Sequence, residues 1–288
     1  MITTTDGRIL RLMLRAADEG GYAVPMFNYT DIWDMSAIIS AAIELRAPVM
    51  FACIPKTLQV LDVEVLGAAG VAQMQKSKTG TLVHHLDHSN ELELCMKAIN
   101  CGFPSVMIDA SMHPLEENIK LVKQVVDYAH PRNVFVEAEI GRIKGRDYEG
   151  TYLGDDFLVK VPDAVELVER TGVDSLAVGI GTAHGFYEGK PEINFERLAE
   201  VNEAVDIPLV LHGGTGIPEE DVRKAIKNGI NKINVGTQIR YTYLQATCDE
   251  IMRQTPNNHT SEIKREVMKV VKEEVKKWIC ICMADGKA

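Results

Sequence analysis

Eight apolar runs of strand length recur along this 288-residue chain, with helical patterns between them. They are Tyr22–Phe27, Pro48–Ile54, Gly80–Leu86, Ser105–Ile108, Val134–Ala138, Ser175–Ile180, Pro208–Leu211 and Lys232–Val235. None alternates cleanly between apolar and polar residues, as expected of parallel strands buried on both faces. Amphipathic segments fall between them: Asp34–Leu45, Leu92–Asn100, Leu115–Ala129, Pro162–Thr171, Phe195–Val205 and Glu219–Asn228. Strand followed by helix, repeated eight times, predicts an α/β protein built as a TIM (β/α)8 barrel. An open doubly wound sheet is the alternative. Residues 242–277 are charged and helical, with a break at Pro256-Asn257-Asn258, and predict extra C-terminal helices packed outside the barrel or against a second subunit. Nothing reads as a linker, so residues 1–288 are expected to form a single domain of a size common for such barrels. The longest polar interval is Gly141–Asp156, which predicts a lid-like loop.

A formal net charge of −10 leaves no basic stripe to neutralise phosphates, which argues against nucleic acid. It does not exclude a small anionic substrate, because a bound cation and helix amino termini create local positive potential. The six cysteines lie mostly in apolar stretches without metal-finger spacing and read as reduced thiols. Met1–Arg8 lacks the apolar core of a signal peptide, and no apolar run approaches the length of a membrane span. A cytoplasmic location without membrane contact is expected.

Three histidines stand just past apolar runs: His88, His184 and His212. In a parallel barrel the carboxyl ends of all strands meet at one rim, so side chains distant in sequence can converge there. Three neutral imidazoles with one position left open form the ligand set of a catalytic zinc ion. His84 and His85 lie within their run and read as packed or supporting groups, while His113, His130 and His259 read as incidental. Asp87, directly before His88, either orients that histidine or acts as a general acid and base beside a Lewis-acidic metal. Glu137 and Glu139 flank Ala138 and should face one way; with Asp109 they read as supporting groups or alternative metal positions. Two glycine clusters, His212-Gly213-Gly214-Thr215-Gly216 and Asn234-Val235-Gly236-Thr237, follow the seventh and eighth runs. Loops at these places commonly bind phosphate, with Thr215, Asn234 and Thr237 as side-chain donors.

Taken together, these motifs resemble those of the class II, zinc-dependent ketose-bisphosphate aldolases, the fructose- and tagatose-bisphosphate aldolase type. The carrying segments are His85-Leu86-Asp87-His88, Ser105-Val106-Met107-Ile108-Asp109, Val136-Glu137-Ala138-Glu139-Ile140-Gly141, Gly181-Thr182-Ala183-His184-Gly185, His212–Gly216 and Lys232-Ile233-Asn234-Val235-Gly236-Thr237, with Tyr22–Asn28 near the start. The resemblance implies a homodimer or homotetramer and reversible cleavage of a phosphorylated ketose to dihydroxyacetone phosphate and an aldehyde. It implies Zn2+ on His88, His184 and His212, with Asp87 moving the proton of the hydroxyl that becomes the aldehyde. It further implies that Gly185, Gly213, Gly214, Thr215, Asn234 and Thr237 cradle the dihydroxyacetone phosphate end, near a monovalent cation, Na+ or K+. Zinc would stabilise the enediolate left by carbon–carbon cleavage.

The chain departs from that family pattern at several places. Where the family usually has Ser or Thr with Gly after its second strand, this chain reads Ala52-Cys53-Ile54-Pro55-Lys56. The usual Asn and Glu after the first strand are Asp31 and Trp33. The mobile loop reads Gly145-Arg146-Asp147-Tyr148-Glu149, making Asp147 the candidate loop acid and Glu149 the second choice. Gly236 stands where fructose-bisphosphate specialists often carry an aspartate. Arg240 lies near the position that reaches across the subunit boundary to the distal phosphate, and its fork suits an anion; the alternative is a helix-surface ion pair. These departures gather on the distal half of the substrate and the loop. They predict retained aldol chemistry on an acceptor other than that of plain fructose 1,6-bisphosphate. A metal-dependent epimerase and an inactive aldolase-like binding subunit are the competing readings.

Overall fold

The computed structural model describes residues 6–143, 157–253 and 258–288. Asp147, Glu149 and the break at Pro256 fall outside these residues. Eight parallel strands form a closed barrel in sequence order: β1 Val24–Asn28, β2 Val49–Cys53, β3 Leu82–Ser89, β4 Ser105–Ile108, β5 Phe135–Ile140, β6 Ser175–Val178, β7 Leu209–Leu211 and β8 Ile230–Val235. β8 closes the barrel on β1 with Val24 opposite Lys232 and Met26 opposite Asn234. The helices are α1 Arg8–Gly20, α2 Ile32–Leu45, α3 Pro55–Leu58, α4 Val63–Met74, α5 Leu92–Asn100, α6 Leu115–Ala129, α7 Val161–Thr171, α8 Phe195–Ala204, α9 Glu219–Lys227, α10 Thr237–Arg253 and α11 Thr260–Ile281. This is the expected TIM barrel with extra C-terminal helices. Among the described residues, no helix is long and apolar enough to cross a membrane.

Three strands differ from the sequence reading by two or more residues at their carboxyl ends. β3 runs on through Asp87 and His88 to Ser89, so His88 lies within the strand and not after it. β5 reaches Ile140, which places Glu137 and Glu139 inside the barrel wall. β6 stops at Val178, leaving His184 in the following loop. Besides the single turn α3, two helices escape the periodicity. α1 precedes the first strand and touches β1, β8 and the distant β5, so it lies across the amino-terminal mouth of the barrel. α4 reads Val-Glu-Val-Leu-Gly-Ala-Ala-Gly, with two glycines that disfavour an isolated helix. Those glycines allow close approach: a Cβ on Gly70 would overlap the His84 ring, and one on Gly67 would overlap the Cys101 carbonyl.

α11 packs outside the barrel against α2 and α10. Its buried face is Val267, Val271, Val275, Trp278 and Ile279, spaced as one helical stripe. Lys272 and Lys276 pair with Glu44 of α2 at the edge of this contact. Tyr243 of α10 donates to Asp31 Oδ2 at 2.6 Å, while Asp31 Oδ1 caps α2 by accepting from Trp33 and Asp34 N–H. Asp31 therefore anchors α10 and α2 together on the rim that carries the carboxyl ends of the strands. Truncating the fully buried Ile279 to Ala should cost about 2–5 kcal/mol of folding stability, whereas Val270→Ala on the same helix, 50% exposed, should change it by less than about 0.5 kcal/mol. Urea unfolding monitored by circular dichroism measures both.

Candidate active site at the barrel rim

Strand register decides which side chains share the interior. Because Met107 pairs with Glu137, Glu139 with Ala177, and Val210 with Lys232, residues of one parity on each strand point inward. Glu137 and Glu139 thus face the same way, as the sequence reading required, and both are fully buried. At β3 the pattern breaks: Leu86 pairs with Val106 and Ser89 with Ile108, so Asp87 and His88 together oppose Met107 alone. Two residues against one is a bulge, and His88 adopts the left-handed conformation there, with φ 49°. A non-glycine residue rarely takes that conformation. In a regular strand Asp87 and His88 would point to opposite faces; here both line the same cleft.

A narrow cleft with a cavity volume of about 30 Å3, open to solvent, is lined by Asn28, Asp87, His88, His184, Gly185, Gly213, Thr215, Asn234, Gly236 and Thr237. His88, His184 and His212 converge beside it, with one ring nitrogen of each lying within 4.8 Å of the others. The His88 ring stands edge-on to both partners, at centroid distances of 4.8 Å to His184 and 4.5 Å to His212. His88 Nε2 meets His212 Nδ1 at 2.7 Å. Their outer nitrogens are held by carboxylates: His88 Nδ1 by Asp109 Oδ2 at 2.8 Å, and His212 Nε2 by Glu137 Oε1 at 2.9 Å. Asp109 is steadied by Ser111, whose N–H and hydroxyl both donate to Oδ1. A second group, His88, Asp109 and Glu139, brings its donor atoms equally close.

The electrostatics suit a cation. Burial lowers His184 to about 3, helped by the positive neighbours His88 and Arg240, and burial likewise drives His212 far below the usual imidazole range. Both therefore present neutral nitrogens near neutral pH. Burial opposes a charge on His88 as well, but Asp87, Asp109 and Glu139 outweigh it and raise His88 well above its ordinary value. Burial also opposes charge on Asp109, yet the bonds from His88 and Ser111 hold it well below the carboxylate range. Carboxylates gathered around three imidazoles thus call for positive charge at this point. Inward nitrogens with carboxylate-held outer nitrogens are how metal-binding histidines are oriented, so the donor set fits zinc.

Asp87 accepts from Asn28 Nδ2 at 2.8 Å and from Asn234 Nδ2 at 3.2 Å. The Asn234 amide also lies 3.0 Å from His212 Nε2, and its buried Oδ1 has no partner among the described residues. The glycine loops are bound to one another. Tyr187 takes the Ala183 N–H at 2.9 Å and donates to the Gly213 carbonyl at 3.0 Å. Gly213 has φ 70°, and a Cβ there would overlap the Ala183 carbonyl. Thr215 and Thr237 line the cleft, and Thr215 Oγ1 accepts from the Gln238 N–H. Gly214 lies outside the lining and spends its N–H on the Asn234 carbonyl. Arg240, on the first turn of α10, is half-buried and close enough for its charge to be felt at His184.

Several partners had no assigned role in the sequence reading. Asn28 ends a recognised motif but carried no function. Tyr187 has no motif. Lys232 sits fully buried two residues before Asn234 and bonds both oxygens of Glu137, at 2.9 and 2.8 Å. Buried lysine in an apolar strand was the available signal, since such a charge must be paired. His84 and His85 are packed groups, as read. His84 stacks between Phe51 and Phe103 and meets the Tyr29 hydroxyl at 2.6 Å, while His85 bonds Ser105 at 2.7 Å. His130 bonds Asp174, and His259 caps α11. At the departure positions, Cys53 is buried against the Tyr29 hydroxyl and Trp33 is 38% exposed.

A closed parallel barrel whose rim gathers three imidazoles and an acid beside a glycine-lined cleft defines a class: a (β/α)8-barrel enzyme with side chains able to hold a metal ion at its carboxyl end. The chain belongs to the class-II fructose-bisphosphate aldolase family, whose pattern it matches over residues 9–287. It is an aldolase, a carbon–carbon lyase. Among solved structures it is similar to the YdjI aldolase from Escherichia coli K12, with 33% identity over 96% of this chain and 98% of that one, at a TM-score of 0.83. A candidate fructose-1,6-bisphosphate aldolase from Coccidioides immitis is 28% identical over 96% of both chains, with a TM-score of 0.87. The fold is shared with the fructose-bisphosphate aldolase of Campylobacter jejuni, at 18% identity, a TM-score of 0.78, and coverage of 98% of this chain and 96% of that one.

Gly213→Ala should be costly on two counts, positive φ and overlap with the Ala183 carbonyl, and should lower folding stability by about 1–3 kcal/mol. Gly172→Ala, also at positive φ but with open space around its Cβ position, should cost less. Chemical denaturation compares the two directly.

Proposed function

We propose that this aldolase cleaves and forms a phosphorylated ketose, releasing dihydroxyacetone phosphate and an aldehyde, with zinc held by His88, His184 and His212. The observation that carries this reading is the convergence of those rings and Asp87 on one glycine-lined cleft. The family is generally zinc-dependent, and the donor set fits the ion. Bound there, zinc would polarise the substrate carbonyl and offset the negative charge that develops on carbon–carbon cleavage.

The chain's own residues supply the rest. Asp87 is buried and held by two side-chain amides that donate to its oxygens. It acts as the base that takes the proton from the hydroxyl becoming the aldehyde, and returns it in the condensation direction. Asn28 and Asn234 keep its carboxylate aimed into the cleft. Gly185, Gly213, Thr215 and Thr237 form the wall for the phosphate, where glycine lets backbone N–H groups approach oxygen closely. Gly214 serves the wall indirectly, by pinning the β7 loop to β8. A monovalent cation, sodium or potassium, beside this phosphate belongs to the same reading, as does Asp147 as the acid acting on the donor carbon. Asp109 and Glu139 support His88 and offer a second position for the metal. Arg240 receives the anionic far end of the ketose. The same reading takes residues 1–288 as one domain working as a cytoplasmic homodimer or homotetramer.

A panel of aldehydes incubated with dihydroxyacetone phosphate, followed by loss of the ketone, tests the reaction and identifies the acceptor. Inversion of a ketose phosphate without triose phosphate release would overturn cleavage in favour of epimerisation. Chelation should abolish turnover and added zinc restore it. Asp87→Ala should lower kcat by about 100- to 10,000-fold while zinc content, measured by atomic absorption, stays unchanged. Arg240→Ala should raise KM for a substrate with a distal anion far more than for one without it, and equal effects on both would remove that assignment.

A further inference from the structure

Inside the barrel, one layer below the rim, lies a fully buried ion pair that the reaction does not use. Lys232 of β8 is 0% exposed and bonds both oxygens of Glu137, which is equally buried on β5. Bringing two charges out of water is expensive, and a well-packed apolar pair of similar volume is often at least as stable. The geometry offers a reason for retaining the charges. Glu137 Oε1 faces His212 Nε2 at 2.9 Å, and Oε2 faces Lys232 and, at 3.4 Å, the Ser175 hydroxyl. With donors arriving from β6, β7 and β8, the carboxylate cannot turn about its own axis. His212 then meets Glu137 through Nε2, beside the Asn234 amide at 3.0 Å, and turns Nδ1 to His88, at 2.7 Å. The same strand places Asn234 two residues above Lys232, where its amide bonds Asp87.

We propose that Lys232 is a positioning residue for the metal: by locking Glu137, it fixes the orientation in which the His212 imidazole offers Nδ1 to the shared centre. This rests on the reading above, in which His88, His184 and His212 hold zinc. Neither Lys232 nor Glu137 lines the cleft, so Lys232 acts through His212 and not on substrate.

The test titrates zinc into the chelator-treated full chain against a chromogenic chelator and records thermal unfolding of the metal-free protein. Lys232→Met should weaken zinc binding by about 10- to 100-fold, the range expected when the outer partner of a metal ligand is disturbed. Glu137→Gln combined with Lys232→Met leaves no lone buried charge and carries the test should the single variant not fold. The double variant should unfold near the wild-type temperature yet still bind zinc about tenfold more weakly. Long-range proton–nitrogen spectra of that metal-free variant should show His212 no longer held in a single Nε2–H tautomer. Wild-type zinc affinity in a folded double variant would overturn the proposal, because the pair would then only balance its own charge. His212→Ala separates the two readings. If it binds zinc as tightly as wild type, the ligand assignment fails and the proposal with it. If it loses zinc while the double variant does not, the role of Lys232 alone fails.

Discussion

Closure of β8 onto β1 turns the inward faces of eight strands into one shared interior, and every polar group placed there must find its partner across that space. The partners are consequently remote in sequence. Asp109 holds His88, His88 meets His212, His212 is backed by Glu137, and Glu137 is paired with Lys232. Each link joins a different strand to the next. A single member removed would leave a buried group without compensation, which in a low-dielectric interior costs far more than the lost bond itself. The site is therefore as much a feature of the barrel's interior packing as of its rim.

This arrangement separates two kinds of rigidity. The imidazoles and their carboxylates are held by strands, with the apolar cluster of Met107, Ala177 and Val210 filling space between them. The glycine loops beyond β6 and β7 are held by Tyr187 and by backbone bonds to β8. Three departures from the family pattern fall elsewhere, whereas Gly236 lines the cleft itself. Asp31 is occupied as a helix cap and as acceptor for Tyr243, Cys53 is sealed against Tyr29, and Trp33 is partly exposed on α2. None of them touches the three histidines. Retained chemistry with an altered acceptor, as proposed, is consistent with that division.

Much of the fold was legible because its signals are local. Apolar runs of strand length and 3.6-residue periodicity located all eight strands and the bounds of α5 and α6 to the residue. α1 and α4 were missed for opposite reasons. α1 precedes the alternation and serves as a plug, a role with no local signature. α4 carries glycines that lower its own propensity but permit contact with His84 and Cys101. Of the site, the three histidines and Asp87 were readable from motif and position, while the roles of Asn28 and Tyr187 and the partner of Lys232 were not, because a hydrogen-bond partner from another strand leaves no periodic trace.

The chain alone determined the order of the strands, the class of chemistry at the carboxyl rim, and the family, since each is written in neighbouring residues. Tertiary structure decided the orientations. Asp87 and His88 are adjacent, and a regular strand would send them to opposite faces; only the mismatch of β3 against β4, with His88 in the left-handed region, turns both into one cleft. Likewise, Glu137 and Lys232 become partners only when the barrel closes, because a charge is satisfied by what stands across from it in space, and their separation along the chain carries no record of that.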